Sequence, residues 1–220
     1  MVTRARVGVL ISGRGSNLQA LIDACAKPEF PAEIVCVISN VPKVEGLARA
    51  ERAGIPAHVI AHASYPSREL FDAAMDRLLR AAEVRFVCLA GFMRVLSVPF
   101  VEGWKGRLVN IHPSLLPSFR GLNVHRRVLE SGTRISGCTV HFVAPELDSG
   151  PIIAQAAVPV LPRDTEETLA ARTLAAEHRL YPLALRLLAA GLVRLEENRA
   201  RFEDGFDGAA GELFSPCPPN

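Results

Sequence analysis

The stretch Ala5-Arg6-Val7-Gly8-Val9-Leu10-Ile11-Ser12-Gly13-Arg14-Gly15-Ser16-Asn17 decides the fold class. Residues 5–11 form a nearly continuous apolar run closed by Ser12-Gly13, the pattern of a strand buried on both faces. The period then changes. Leu18, Leu21, Ile22 and Cys25 recur at helical spacing and stop before Pro28, which predicts a helix. A glycine-rich turn between strand and helix lets the backbone approach a ligand, and the helix N-terminus offers free N–H groups, so residues 12–17 read as an anion site. A tight turn capped by Ser16 or Asn17 is the competing reading. The Walker lysine is missing, and Leu18 stands where the dinucleotide pattern needs its third glycine. Asn40, not an acid, follows the second strand, so a monophosphate fits better than a dinucleotide.

Outward from this stretch the alternation continues. Residues 34–38 are strand-like, Leu47 and Ala48 belong to a helix closed by Gly54, and residues 57–60 form a short strand. Strand and helix in turn mean a parallel sheet with crossovers, so the expected class is α/β, a Rossmann-like open, mostly parallel twisted sheet with helices on both faces. Leu70, Phe71, Ala74, Met75, Leu78 and Leu79 mark an amphipathic helix over residues 67–82, with Arg68 and Asp76 toward its exposed side. Residues 84–93 are the most apolar stretch and should form the central strand. Arg94 follows at its carboxyl end, where open α/β sheets bind ligands, making Met93, Arg94, Val95 and Leu96 a candidate pocket wall.

Residues 108–111 are a shorter strand leading to His112, and a helix through Val124, Val128 and Leu129 follows Gly121 and stops at Gly132. Residues 138–143 and 152–158 read as later strands, with antiparallel pairing open to them, around a Pro/Gly-bounded loop over residues 144–150. Asp164 in the capping place starts a long helix through Leu169, Ala176, Leu180, Leu183 and Leu187, which Pro182 should kink and Gly191 should end. Residues 1–200 are expected to form one domain and residues 201–220 a partly mobile tail rich in Gly and Pro.

Composition narrows the class. Lys and Arg number 25 against 23 Asp and Glu, and no block of five like charges occurs, which argues against a nucleic-acid or anionic-membrane footprint. The five cysteines form no Cys-x-x-Cys pair and lie mostly in apolar runs, so they read as core thiols of a reducing, cytoplasmic compartment. No run approaches the length of a membrane span.

The candidate chemistry lies in Asn110-Ile111-His112-Pro113-Ser114. In an extended segment residues two apart project to one side, and Pro113 holds His112 out of the helical region. An amide donor for an oxyanion and an imidazole for proton transfer at one site suit an enzyme that attacks carbonyls. A carboxylate beside His112 would orient the ring and favour the imidazolium, and Asp148, in the loop bounded by Pro145 and Gly150, is the best candidate. His58 and His62 span strand into loop and so share no metal face, while His125 and His141 read as secondary to the site.

Four segments occur in order: Ser12-Gly13-Arg14-Gly15-Ser16-Asn17, Gly91-Phe92-Met93-Arg94, Asn110-Ile111-His112-Pro113-Ser114 and Leu147-Asp148-Ser149-Gly150-Pro151. With them the chain resembles the phosphoribosylglycinamide formyltransferase family of the folate-dependent formyltransferase superfamily, over about residues 5–195. The resemblance implies formyl transfer from 10-formyltetrahydrofolate, as cosubstrate, to the primary amine of glycinamide ribonucleotide, by direct amine attack and without a required metal. It implies catalytic roles for Asn110, His112 and Asp148, and phosphate binding by Gly15, Ser16 and Asn17. Glu177 would contact the ribose; Arg68, Met93, Arg94, Val95, Leu96, Asn110, Ala144, Pro145, Glu146, Leu147 and Asp148 would form the folate site. The partners implied are these small molecules, with no nucleic acid and no membrane, and the protein a monomer or homodimer. A formyltetrahydrofolate hydrolase, which would carry an extra N-terminal domain, and a methionyl-tRNA formyltransferase, which would add an RNA-binding domain, are the enzyme alternatives. A nucleotide-binding sensor is the non-enzyme alternative.

Overall fold

The computed structural model describes residues 4–203, so all but the first three positions of the expected tail lie outside the described residues. The chain runs β1 (Ala5–Ile11), α1 (Ser16–Cys25), β2 (Ala32–Ser39), α2 (Glu45–Arg52), β3 (Ala57–Val59), a 3-10 turn (His62–Ser64), α3 (Arg68–Ala81) and β4 (Phe86–Leu89). It continues through α4 (Val98–Gly103), β5 (Leu108–His112), α5 (Val124–Glu130), β6 (Ile135–Phe142), β7 (Ile152–Pro159), α6 (Glu166–Ala189), β8 (Val193–Glu196) and β9 (Arg199–Phe202).

One seven-stranded sheet carries the fold, in the order β3-β2-β1-β4-β5-β6-β7. Its first five strands pair in parallel, whereas β6 is antiparallel to both β5 and β7. Successive residues of a strand face opposite sides, and the core divides accordingly. Val7, Val9 and Ile11 meet Leu18 and Leu21 of α1 and Leu180, Tyr181 and Leu185 of α6 on one face. Leu10, Ile38 and Leu89 meet Phe71, Met75 and Leu79 of α3 and Phe100 and Trp104 on the other. This is the α/β architecture expected, with β4 in the middle. Because β1 is flanked by β2 on one side and β4 on the other, the connections leave it in opposite directions. The crevice opens at the carboxyl ends of such strands.

Several local expectations are corrected. The apolar run over residues 84–93 yields only the four-residue ladder Phe86–Leu89, because the backbone turns at Gly91 (φ 73°) and Phe92 is buried by packing rather than by pairing. On α3 the Ser67 hydroxyl caps the helix by accepting from the Leu70 N–H at 3.2 Å, and Leu70 is 53% exposed while Asp72 is 2% exposed. Thr165, not Asp164, caps α6 in a reciprocal box with Thr168. The helix runs through Pro182 and ends at Ala189, with Gly191 (φ 75°) just beyond it. A hairpin of β8 and β9 follows α6 and continues to Phe202.

Asp164 is displaced from the cap because its carboxylate is taken elsewhere. Both guanidinium nitrogens of Arg172 reach it, at 2.7 and 2.8 Å, and it also accepts the Leu161 N–H at 2.7 Å. The Arg172 bonds hold its carboxyl well below the usual carboxylate range. A depressed folded pKa adds stability above the unfolded value of about 4, and that stability is lost as pH falls through the folded value. Asp164→Asn is therefore expected to cost about 1.5–3 kcal/mol at neutral pH, the range for hydrogen bonds to a charged group. The gap to wild type should shrink below about pH 4; thermal melts that show a pH-independent gap would remove the ion pair as its source.

Candidate active site

The glycine-rich turn is shaped by a close approach. Gly15 sits at φ 72°, and a β-carbon there would lie 2.7 Å from the Cα of Gly46, so the turn and the start of α2 can touch only as glycine on glycine. Gly15 is the residue before α1, and neither Ser16 nor Asn17 caps the helix; no side chain does. The first N–H groups of α1 therefore lack a side-chain cap in the place where an anion would bind. Asn17 instead donates from Nδ2 to Glu177 Oε2 of α6 at 2.6 Å, 160 residues away in sequence. Burial pushes the Glu177 carboxyl up, and the Asn17 bond pulls it back. The turn and Glu177 are thus brought to one place, with Asn17 Oδ1 buried and without a partner.

The second cluster forms where the sheet reverses direction. Asn110 on β5 lies directly opposite His141 on β6 in the antiparallel register. His141 Nδ1 is 2.9 Å from the Phe142 carbonyl oxygen, so that nitrogen carries the proton and Nε2 is left as an acceptor. The Asn110 amide nitrogen stands 3.2 Å from that Nε2 and donates to it. Burial pushes His141 down, against the pull of the Phe142 carbonyl and Asp148 carboxylate, which keeps the neutral ring in this tautomer. One amide hydrogen of Asn110 is thereby fixed, and the other is free to point into the cleft.

His112, two residues on, is 6% exposed and has acceptors at both ring nitrogens. Nε2 bonds the Phe119 carbonyl at 3.0 Å, and Nδ1 lies 3.4 Å from Asp148 Oδ2. Only the doubly protonated ring donates at both. Asp148 adopts the left-handed region at φ 49° and also accepts the Gly121 N–H at 2.8 Å, which ties the loop before α5 to the loop after β6. Gly150 lets that second loop return against the sheet, since a β-carbon there would fall 1.8 Å from the Phe142 carbonyl oxygen.

A cleft opens beside these groups. Arg94, Val95, Leu96, Asn110, Ala144, Pro145, Glu146, Leu147 and Asp148 line it, together with Phe92, Val143 and His141, which sequence reasoning did not assign to it. Two expected wall residues do not. Met93 is 65% exposed because the chain turns at Gly91 and sends its side chain outward, and Arg68 is exposed at the first turn of α3. His112 itself does not line the cleft and meets it through Asp148.

Other reactive groups fit poorly as nucleophiles. Burial pushes the Cys36 thiol up to about 11 and those of Cys25, Cys88 and Cys138 to about 12, so they are inert core thiols. Cys217 lies outside the described residues. Among the described residues no helix is long and apolar enough to cross a membrane.

The comparisons agree with this geometry. Residues 5–185 match the family model described as formyl transferase. The chain is 46% identical over 192 residues to the phosphoribosylglycinamide formyltransferase of Escherichia coli (strain K12), covering 87% of this chain and 91% of that one. It is 58% identical over 194 residues to the trifunctional purine biosynthetic protein adenosine-3 of Gallus gallus, covering 88% of this chain. This chain spans about a fifth of that relative, 19%. The crystal structure of glycinamide ribonucleotide transformylase 1 from Symbiobacterium toebii superposes with a TM-score of 0.89 at 51% identity, covering 91% of this chain and 95% of that one.

Proposed function

Because the chain belongs to the formyl transferase family over residues 5–185, we infer that it transfers the formyl group of 10-formyltetrahydrofolate to the primary amine of glycinamide ribonucleotide. The observation that carries the reading is the convergence of Asn110, His141, Asp148 and His112 at one edge of a cleft at the carboxyl end of the sheet. Names of relatives support the choice of substrates: the Escherichia coli and Symbiobacterium toebii proteins are both called transformylases or formyltransferases of this ribonucleotide.

Each residue has a task in this reading. The backbone of Gly15 and Ser16 and the side chain of Asn17 hold the phosphate at the uncapped start of α1, and Glu177 accepts from the ribose hydroxyls. Residues 94–96 and 144–147 enclose the folate ring system. As the amine attacks the formyl carbon, the free N–H of Asn110 meets the developing oxyanion. His112, bonded at Nε2 to the Phe119 carbonyl and facing Asp148 at Nδ1, positions that carboxylate; Asp148 takes up the proton released by the amine and returns it to N10 of the folate as the bond from N10 to the formyl carbon breaks and tetrahydrofolate leaves. The described cysteines are all free buried thiols, which suits the cytoplasm. Residues 1–200 would act as one domain, in a monomer or a homodimer.

Folate absorbance tests the reading directly. Purified protein mixed with 10-formyltetrahydrofolate is expected to deformylate it only when glycinamide ribonucleotide is present. Deformylation without the amine would make it a hydrolase, and folded protein that does neither would remove the enzymatic reading.

A further inference from the structure

The segment over residues 93–97, whose Arg94, Val95 and Leu96 line the cleft, is tied down at its two ends. Met93 donates its backbone N–H to the Ser12 hydroxyl at 2.8 Å, and Ser97 donates its own to Asp72 Oδ2 at 2.6 Å. Between these ties Arg94 is exposed and Val95 is 52% exposed, and Leu96 is buried; just before them Phe92 is an apolar anchor, stacking on Phe71 at 6.5 Å. The two ties lead to different places. Asp72 belongs to α3, on the far face of the sheet from the phosphate turn. Ser12 is the residue directly before Gly13 of that turn, and its hydroxyl hydrogen goes on to Asn40 Oδ1 at 2.6 Å.

Resting on the functional reading above, we propose that Ser12 couples the two substrate sites, carrying occupancy of the phosphate turn to the wall of the folate cleft. Its single hydroxyl is both acceptor for Met93 and donor to Asn40, so it can satisfy both only in one placement of the chain at the start of the turn. Asn40 is 2% exposed and its amide nitrogen stands 3.2 Å from His62 Nδ1, which makes the far end of the link stiff. A phosphate that orders residues 13–17 therefore fixes Ser12, and Ser12 fixes Met93. Linkage then requires the converse: a folate in the cleft must raise affinity for the ribonucleotide by the same factor.

The test is tetrahydrofolate binding, measured by titration calorimetry on the full chain with and without saturating glycinamide ribonucleotide. In wild type the ribonucleotide should tighten tetrahydrofolate binding about three- to ten-fold, the factor that one net hydrogen bond carries. Ser12→Ala should bind tetrahydrofolate more weakly and show a ratio near one, and Ser12→Thr, which keeps the hydroxyl, should restore both. Asp72→Ala should weaken tetrahydrofolate binding as well but keep the wild-type ratio, since its tie does not reach the turn. Ser12→Gly, which also lacks the hydroxyl, replaces Ser12→Ala if the alanine protein does not fold. A wild-type ratio of one, a ratio retained without the hydroxyl, or a ratio lost in Asp72→Ala overturns the coupling while leaving the functional reading intact. Wild-type protein that binds no tetrahydrofolate would remove both together.

Discussion

Replacing His112 with alanine is expected to lower kcat for formyl transfer by about 10²- to 10⁴-fold, the range for a positioned general acid or base. The KM values for both substrates should change little. The ring does not line the cleft, so substrates lose no contact with it, yet it sits 3.4 Å from Asp148 and 3.0 Å from the Phe119 carbonyl. Removing it takes away the group that faces the Asp148 carboxylate and holds it in place for proton transfer. Stopped-flow or steady-state kinetics check this, with a thermal melt to show that the buried site still folds. Wild-type turnover in that protein would sink the central role, and a rise in KM alone would reassign the ring to binding.

Asn110→Ala should cost about 10²- to 10³-fold in kcat, the loss seen when one oxyanion donor is removed. Its partner Asn110→Asp separates donor from shape. The carboxylate is nearly isosteric but has no hydrogen to give, and it would face the acceptor Nε2 of His141 and the neighbouring Asp148. It is therefore expected to be at least as slow as the alanine protein at neutral pH. If Asn110→Asp kept most of the rate, the amide would be a packing group and the oxyanion would be stabilised by other means.

Much of this was legible in the sequence, for reasons that differ by residue. The change of period at Ser12, from a buried strand to a helical stripe, is local, and so is the two-residue offset of Asn110 and His112 along a strand. Such features need no knowledge of what packs against them. His141 is different. Its part depends on lying opposite Asn110 in an antiparallel pair, 31 residues away in sequence, and on a tautomer set by the Phe142 carbonyl. No periodicity encodes either. Asp72 reads as one more charge on an amphipathic helix, yet it is buried and holds Ser97 from a distance of 25 residues. Asp164 and Thr165 are both good caps, and the choice between them was made by Arg172 two turns further on. The exposed side chains of Met93 and Arg68 lie outside the lining of the cleft, and a side chain's direction follows from the local turn and the helix phase, which a motif does not carry.

The left-handed backbone at Asp148 has a consequence for how this protein could change over time. L-residues in general pay roughly 1–2 kcal/mol to stay in that region, asparagine and aspartate less because their side chains bond locally, and here the residue in it is a buried carboxylate. Glycine would relieve the strain and asparagine would ease both strain and desolvation, but each would take away the negative charge that faces His112. Folding alone would be served as well by glycine or asparagine at this position, and in the proposed mechanism the carboxylate is what the chemistry alone requires there.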